Sequence, residues 1–323
     1  MRALLLFAAF LCAAASAQSA LDPASLVRAA DYSADYGEHS LLVWEKGRVI
    51  YERAAQQGAP PPRIFSITKS LVSIAVFRDA LTGGLSLGQT ARGIPLADLL
   101  NQTSGLAPAH AEFYTVGLKD KQRVLRGLRR NGSGGSFVYG PSHWEVLAEE
   151  IRLHRGTPPE RWLRRFVPGA GPEVVARWRR DDQGAFFFST GARMDARDLL
   201  PAGREVLRGM GQRSGKWPPE VRSLLSSGTD ANRMYALGFW LNRQRSAAGA
   251  REIAVESVLN PSHPPDFWRS ACLSRSAPED LLAMIGTNGQ RVYAVPSRDL
   301  VVVRLGSRAG FSDAEFLGRL FGR

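Results

Sequence analysis

The chain has 323 residues, 44% of them hydrophobic, enough to bury a large core in one domain, and its two cysteines exclude a disulfide framework. Its net charge is +12, but the positive residues, 37 Arg against five Lys, are scattered, and no aromatic–basic RNA motif accompanies them. The composition therefore predicts a solvated basic surface and no nucleic-acid partner.

In chain order, residues 1–17 read as a secretory signal peptide. Arg2 supplies the positive start, Leu4 to Leu11 the short apolar run, and Ala15-Ser16-Ala17 the small-residue cleavage site before Gln18. The apolar run is too short to span a bilayer, and no later stretch reaches about 18 apolar residues. The expected product is a single exported domain, residues 18–323, periplasmic or extracellular and without an integral membrane segment. Cleavage would remove Cys12 and leave Cys272 as the single cysteine.

Residues 39–44 and 48–54 read as two strands, joined by Glu45-Lys46-Gly47 as a hairpin turn. Helical patterns follow at residues 69–81, 121–129, 142–153, 196–207 and 218–225, with Gly83-Gly84 ending the first. The run Asn131 to Ser136 reads as a flexible surface loop. Strands return at residues 281–286, 290–295 and 300–305, and residues 311–321 form a closing helix. The pattern predicts an α+β fold: an antiparallel β-sheet formed from both chain ends, flanked by helices, with an inserted helical subdomain over roughly residues 80–230.

Ser66-Ile67-Thr68-Lys69 opens the first of these helices, ahead of Leu71, Val72, Ile74, Ala75 and Val76. Residues three apart share a helix face, so the Lys69 amine can reach the Ser66 hydroxyl. A serine at a helix N-terminus sits among unpaired backbone N–H groups that can hold a developing oxyanion. The positive helix end and burial both disfavour an ammonium ion, which favours a neutral amine base. Arginine, which this chain otherwise prefers, could not serve as a base. Taken alone the pattern is weak, because the same spacing makes Ser66 a helix cap and Lys69 a surface cation.

Together with Leu99-Leu100-Asn101-Gln102-Thr103-Ser104-Gly105-Leu106, the Ser66–Lys69 pair resembles the penicillin-binding-protein-like serine hydrolases, the family of class C β-lactamases and related esterases and D-peptidases. Four further segments follow in the same order. Phe137-Val138-Tyr139 with Trp144 and Leu147 resembles the family's tyrosine motif. Ser189-Thr190-Gly191 with Ala196 to Leu199 resembles its middle segment, and Tyr235 to Trp240 its Y-x-L-G-[WF]-W strand. Gly286-Thr287-Asn288-Gly289-Gln290, with Tyr293, Pro296 and Leu300 to Val303, resembles the strand that borders its active site. The resemblance implies a five-stranded antiparallel sheet with helices on both faces. It implies acyl-enzyme chemistry at Ser66, with Lys69 and Tyr139 sharing the proton traffic and no cofactor. The backbone N–H groups of Ser66 and Gln290 would form the oxyanion hole. Thr287, Asn288 and Gly289 would border the substrate, Gly289 letting it lie against the backbone.

Two departures bear on the substrate. The tyrosine motif usually reads Y-x-N, whereas here it is Tyr139-Gly140-Pro141, and proline brings no polar side-chain group. The last motif begins with lysine in β-lactamases, whereas here the position is Thr287. A small neutral ester or amide is therefore the expected substrate. The alternatives are a D-Ala-D-Ala peptidase or β-lactamase-like enzyme, and a catalytically silent relative that binds peptidoglycan or a protein. Ser142-His143-Trp144-Glu145 reads as a capping box, with His143 on the helix surface.

Overall fold

The computed structural model describes residues 20–130, 132, 134–154, 158–211, 215–259 and 263–322, so the signal-peptide expectation lies outside the described residues. Among these, no helix is long and apolar enough to cross a membrane.

The chain opens with helix α1 (Pro23–Asp35), capped by the Asp22 side chain, which accepts from the Ser25 N–H. It then enters strand β1 (Glu38–Glu45) and turns back into β2 (Arg48–Arg53). Glu45 pairs with Arg48, so the turn itself is only Lys46-Gly47, both at positive φ. That conformation matches the right-handed twist of the flanking strands. Helix α2 (Ile67–Ala80) follows, and later come α3 (Ser142–His154), α4 (Pro159–Phe166) and α5 (Ala196–Met210).

The remaining strands of the main sheet are β3 (Tyr235–Ala236), β4 (Phe239–Leu241), β5 (Leu282–Gly286), β6 (Gln290–Val295) and β7 (Leu300–Gly306), before the closing helix α6 (Asp313–Phe321). They form one antiparallel sheet in the order β2-β1-β7-β6-β5-β4-β3, so the two chain ends meet at the β1–β7 seam. The sheet has seven strands where five were expected. The expected single strand at residues 235–240 folds back on itself, because Leu237 and Gly238 both take positive φ and make a two-residue turn. The Ser70 hydroxyl donates to the Gly238 carbonyl at 2.6 Å and holds this turn against α2. Residue 238 is glycine for lack of room, since a Cβ there would lie 2.6 Å from Ser73 Oγ.

Alternation along the strands sends successive side chains to opposite faces. Leu42, Trp44, Met284, Val292, Val301 and Val303 pack with α2 and α5, while Leu41, Val43, Ile285, Tyr293 and Val302 pack with α1 and α6. Both faces are covered, and α2 is buried around nearly its whole circumference because it lies between the sheet and the helices packed over it. The closing helix starts two residues later than its apolar pattern because Ser312 caps it, accepting from the Glu315 N–H. The 131–136 loop is anchored where it is described, with the Gly135 N–H donating to the Thr103 carbonyl at 2.8 Å. Asn131 and Ser133 lie outside the described residues.

Asp313 ties α6 to the sheet. It accepts from Arg291 at 2.7 and 3.1 Å and from the Tyr293 hydroxyl at 2.5 Å, all buried. Removing one partner of a buried ion pair leaves an uncompensated charge. Asp313→Ala is therefore expected to cost about 3–5 kcal/mol of stability, read as a lower urea midpoint. A double Arg291→Met, Asp313→Leu variant should recover much of that loss.

Candidate active site

Ser66 stands at the first turn of α2, directly after Phe65, which is held at φ +47°. A bulky residue in the left-handed region stores strain and turns the chain sharply into the helix. The Ser66 hydroxyl makes no capping hydrogen bond, so the helix-cap reading fails and the hydroxyl is free to face the cleft. Lys69 Nζ lies 2.9 Å from Ser66 Oγ and donates to the Ser189 carbonyl at 3.0 Å. Lys69 is only 2% exposed, and burial pulls its amine down to about 7, with the Glu145 carboxylate opposing that shift. The amine is therefore substantially neutral at neutral pH, as a proton acceptor must be.

Tyr139 stands against the same pair. Its ring centroid is 5.1 Å from Lys69 Nζ, and its hydroxyl is hydrogen-bonded to Ser66. Burial pushes that hydroxyl well above its ordinary range, against the effect of the Ser66 bond, so it remains a proton donor. Aromatic packing on Phe137, Tyr235 and Trp240 fixes the ring.

The run at residues 99–106 builds the support for this tyrosine. Gln102 accepts from the Gly140 N–H at 2.7 Å and donates to the Tyr235 hydroxyl at 2.7 Å, and its carbonyl accepts from the Val138 N–H. Asn101 accepts from the Leu237 N–H at 2.8 Å. His143, expected on the surface, is fully buried, with Nδ1 2.8 Å from Ser104 Oγ and Nε2 2.8 Å from the Val138 carbonyl. Burial pulls it down to about 4, which keeps it neutral.

The expected capping box is likewise corrected. The Pro141 carbonyl accepts from the Trp144 and Glu145 N–H groups at the start of α3. Glu145 instead reaches inward, accepting from the Ser189 N–H at 2.9 Å, the Ser189 hydroxyl at 2.6 Å and Lys121 Nζ at 2.9 Å. It thereby fixes the carbonyl that holds Lys69. Single-sequence reasoning missed Glu145, because its partner Ser189 is 44 residues away.

Ser66, Lys69, Tyr139 and Thr287 line one cavity of about 520 Å³ with Arg63, Phe65, His110, Tyr114, Arg179, Thr190, Glu256 and Leu259. The other expected binding residues lie elsewhere. Gln290 pairs with Gly286 in the β5–β6 ladder, and its side chain is tied to the backbone of Gly306. The Asn288 and Gly289 N–H groups donate to the Glu256 carboxylate at 2.9 and 3.2 Å. Gly289 does allow a close approach, but to the protein itself, since a Cβ there would meet Arg304 Nη1 at 2.3 Å. The hairpin register thus puts Thr287, rather than Gln290, at the cavity. The cavity has no cation at Thr287, as expected from the sequence, but Arg63 and Arg179 line it. Among the described residues no cluster of three or more metal-ligating side chains occurs.

Comparison with known proteins agrees with this fold. The Beta-lactamase family model matches residues 24–167. A Bacillus anthracis protein proposed to be a 6-aminohexanoate-dimer hydrolase superposes with a TM-score of 0.64 at 16% identity, covering 90% of this chain and 78% of that one. The class C β-lactamase of Rhodobacter sphaeroides does so with 0.59 at 17% identity, covering 92% and 97%. EstCE1, a hydrolase with promiscuous acyltransferase activity, gives 0.59 at 18% identity, covering 93% and 99%. No curated protein matches the sequence. The chain has the β-lactamase/transpeptidase fold and is similar in that fold to penicillin-binding-protein-like and class C β-lactamase-like proteins. The enzymes of that class are serine hydrolases.

Gln102 offers a test of how the site is held. Gln102→Leu leaves the Gly140 N–H and the Tyr235 hydroxyl unpaired in the interior. Each orphaned group costs about 1–3 kcal/mol, so the melting temperature should fall clearly, where a surface substitution such as Gln56→Leu should barely move it.

Proposed function

We propose that this protein is an exported serine hydrolase that cleaves an ester or amide through an acyl-enzyme at Ser66. The observation that carries the reading is the buried Lys69 amine, 2.9 Å from Ser66 Oγ and held near neutrality. Lys69 takes the hydroxyl proton as Ser66 attacks the carbonyl. Tyr139, kept protonated by burial, donates to the leaving group. The backbone N–H groups of Ser66 and Thr287 face the developing oxyanion, Thr287 replacing Gln290 in that role. Water then attacks the acyl-enzyme, and the same groups act in reverse.

Several features favour an ester or amide over a β-lactam. Thr287 stands where carboxylate-binding β-lactamases present lysine, and Pro141 stands where they present asparagine. Two neighbours in fold are described as a proposed 6-aminohexanoate-dimer hydrolase and as a hydrolase with promiscuous acyltransferase activity. Export rests on the Arg2, apolar-run and Ala15–Ala17 pattern at the N-terminus.

Ser66→Ala should reduce ester hydrolysis to below about one-thousandth of wild type, on the scale of removing a catalytic nucleophile, with an unchanged melting curve. Residual turnover near wild type would remove Ser66 from the mechanism. Lys69→Arg should be nearly as damaging as Lys69→Ala, because a guanidinium cannot accept the proton. Because the amine must be neutral to act, kcat/KM should rise with pH through about 7 and then level off. A profile flat from about pH 5 to 8 would mean that Lys69 is not the base.

A further inference from the structure

The cavity that holds Ser66 carries two guanidinium groups that the hydrolytic chemistry does not use. Arg63 precedes the nucleophile by three residues, and Arg179 comes from a segment more than a hundred residues downstream. The stretch at 190–193 brings them together. Arg63 bridges to Arg193, the Ile64 N–H donates to the Ala192 carbonyl at 3.2 Å, and the Arg179 N–H donates to the Gly191 carbonyl at 2.8 Å.

Both arginines are half-buried, and neither has an ion-pair partner among the described residues. Their neighbours in sequence do better: Arg177 meets Glu173 and Asp198, and Arg180 meets Glu160. Arg63 and Arg179 instead lie over the rings of Phe65 and Phe187, at 4.8 and 5.5 Å. Burial and the charges of Arg179 and Arg193 all disfavour the charged form of Arg63, yet a guanidinium cannot discharge near neutral pH. A pair of partly desolvated like charges is costly unless an anion offsets it.

The remaining lining groups do not supply that anion. Glu256 is the one carboxylate among the cavity-lining residues, and it is engaged by Arg291 at 3.0 Å and by the Asn288 and Gly289 N–H groups. Burial keeps both His110 and the Tyr114 hydroxyl in their neutral forms. Thr190 is 7% exposed, and its buried hydroxyl has the Tyr114 hydroxyl beside it but no charged partner among the described residues.

We propose that Arg63 and Arg179, with Thr190 beside them, form an anion subsite that selects esters or amides carrying a carboxylate. Two guanidinium forks match the planar, bidentate geometry of that group, and a partly desolvated wall strengthens the pairing. The subsite stands on the loop before α2 and on the 179 and 190 segments, not on the β5 edge at Thr287. This assignment deepens the proposed function and rests on Ser66 as the nucleophile.

Matched substrates test it. Mono-p-nitrophenyl adipate is compared with p-nitrophenyl hexanoate, which places the charge on the acyl side. 4-Carboxyphenyl hexanoate is compared with phenyl hexanoate, which places it on the leaving group. In one of the two pairs, kcat/KM should favour the charged ester at least tenfold, mainly through KM, and added salt should weaken the preference. Arg63→Gln and Arg179→Gln should each shrink that ratio at least tenfold, and the Lys variants should restore part of it. Binding of monomethyl adipate to Ser66→Ala, followed by calorimetry, gives a readout free of turnover. It should weaken at least tenfold when either arginine is replaced. Ratios near one in both pairs, with binding that ignores both arginines, would overturn the subsite. Ser66-dependent turnover of the esters would then still support the hydrolase reading. Arginine-dependent binding without any turnover would support the subsite and sink the hydrolase reading instead.

Discussion

Lys69 is a primary amine enclosed by protein beneath a serine hydroxyl, and much of the surrounding structure follows from keeping it there. A buried ammonium is costly, so the amine gives up charge and is drawn to about 7. A neutral amine still needs a hydrogen-bond acceptor, and the Ser189 carbonyl provides it at 3.0 Å. That carbonyl is fixed in turn by Glu145, which binds both the N–H and the hydroxyl of Ser189. Glu145 is buried as well, and Lys121 supplies its counter-charge at 2.9 Å. The chain of contacts runs from α3 through the 188–190 segment to α2, and each link satisfies a polar group that the previous one buries.

The fold supplies the geometry for this. Helix α2 is wedged between the sheet and the helices around it, and its N-terminus opens at the cavity. Phe65 at positive φ aims Ser66 there, and the 237–238 turn is hydrogen-bonded to α2 through Ser70. The 99–106 run has no role at the cavity surface. It holds Val138, Gly140 and Tyr235 in place, and through them the ring of Tyr139. Ser66, Lys69 and Tyr139 therefore sit on elements locked from behind, which preorganisation of a reactive centre requires.

Much of this was legible in the sequence where local pattern decides it. The strand at residues 290–295 agrees residue for residue, since the short run Val292-Tyr293-Ala294-Val295 between turn residues has few other readings. The Ser66–Lys69 spacing carried the central pair, because three residues on a helix fix a face. What escaped was set by register and by distant contacts. Whether Thr287 or Gln290 meets the cavity depends on the pairing of Gln290 with Gly286, which no local pattern records. His143 and Glu145 looked like helix-surface and capping residues, because their partners lie in the 104, 138, 121 and 189 segments. Arg63 and Arg179 were two among 37 arginines until the 190–193 stretch joined them. Helix α1 went unread although Asp22-Pro23 is a sound start signal, because its apolar stripe is weak.

The central claim is that a neutral Lys69 activates Ser66, and covalent labelling tests it without knowledge of the substrate. The purified protein is exposed to a fluorophosphonate at pH values from about 5 to about 9, and the adduct is mapped by peptide mass spectrometry. The account predicts a single adduct on Ser66, a labelling rate that climbs through pH about 7, and near-complete loss of labelling in Lys69→Arg. An adduct on another residue, or labelling of Ser66 that is indifferent both to pH and to the arginine substitution, would contradict it.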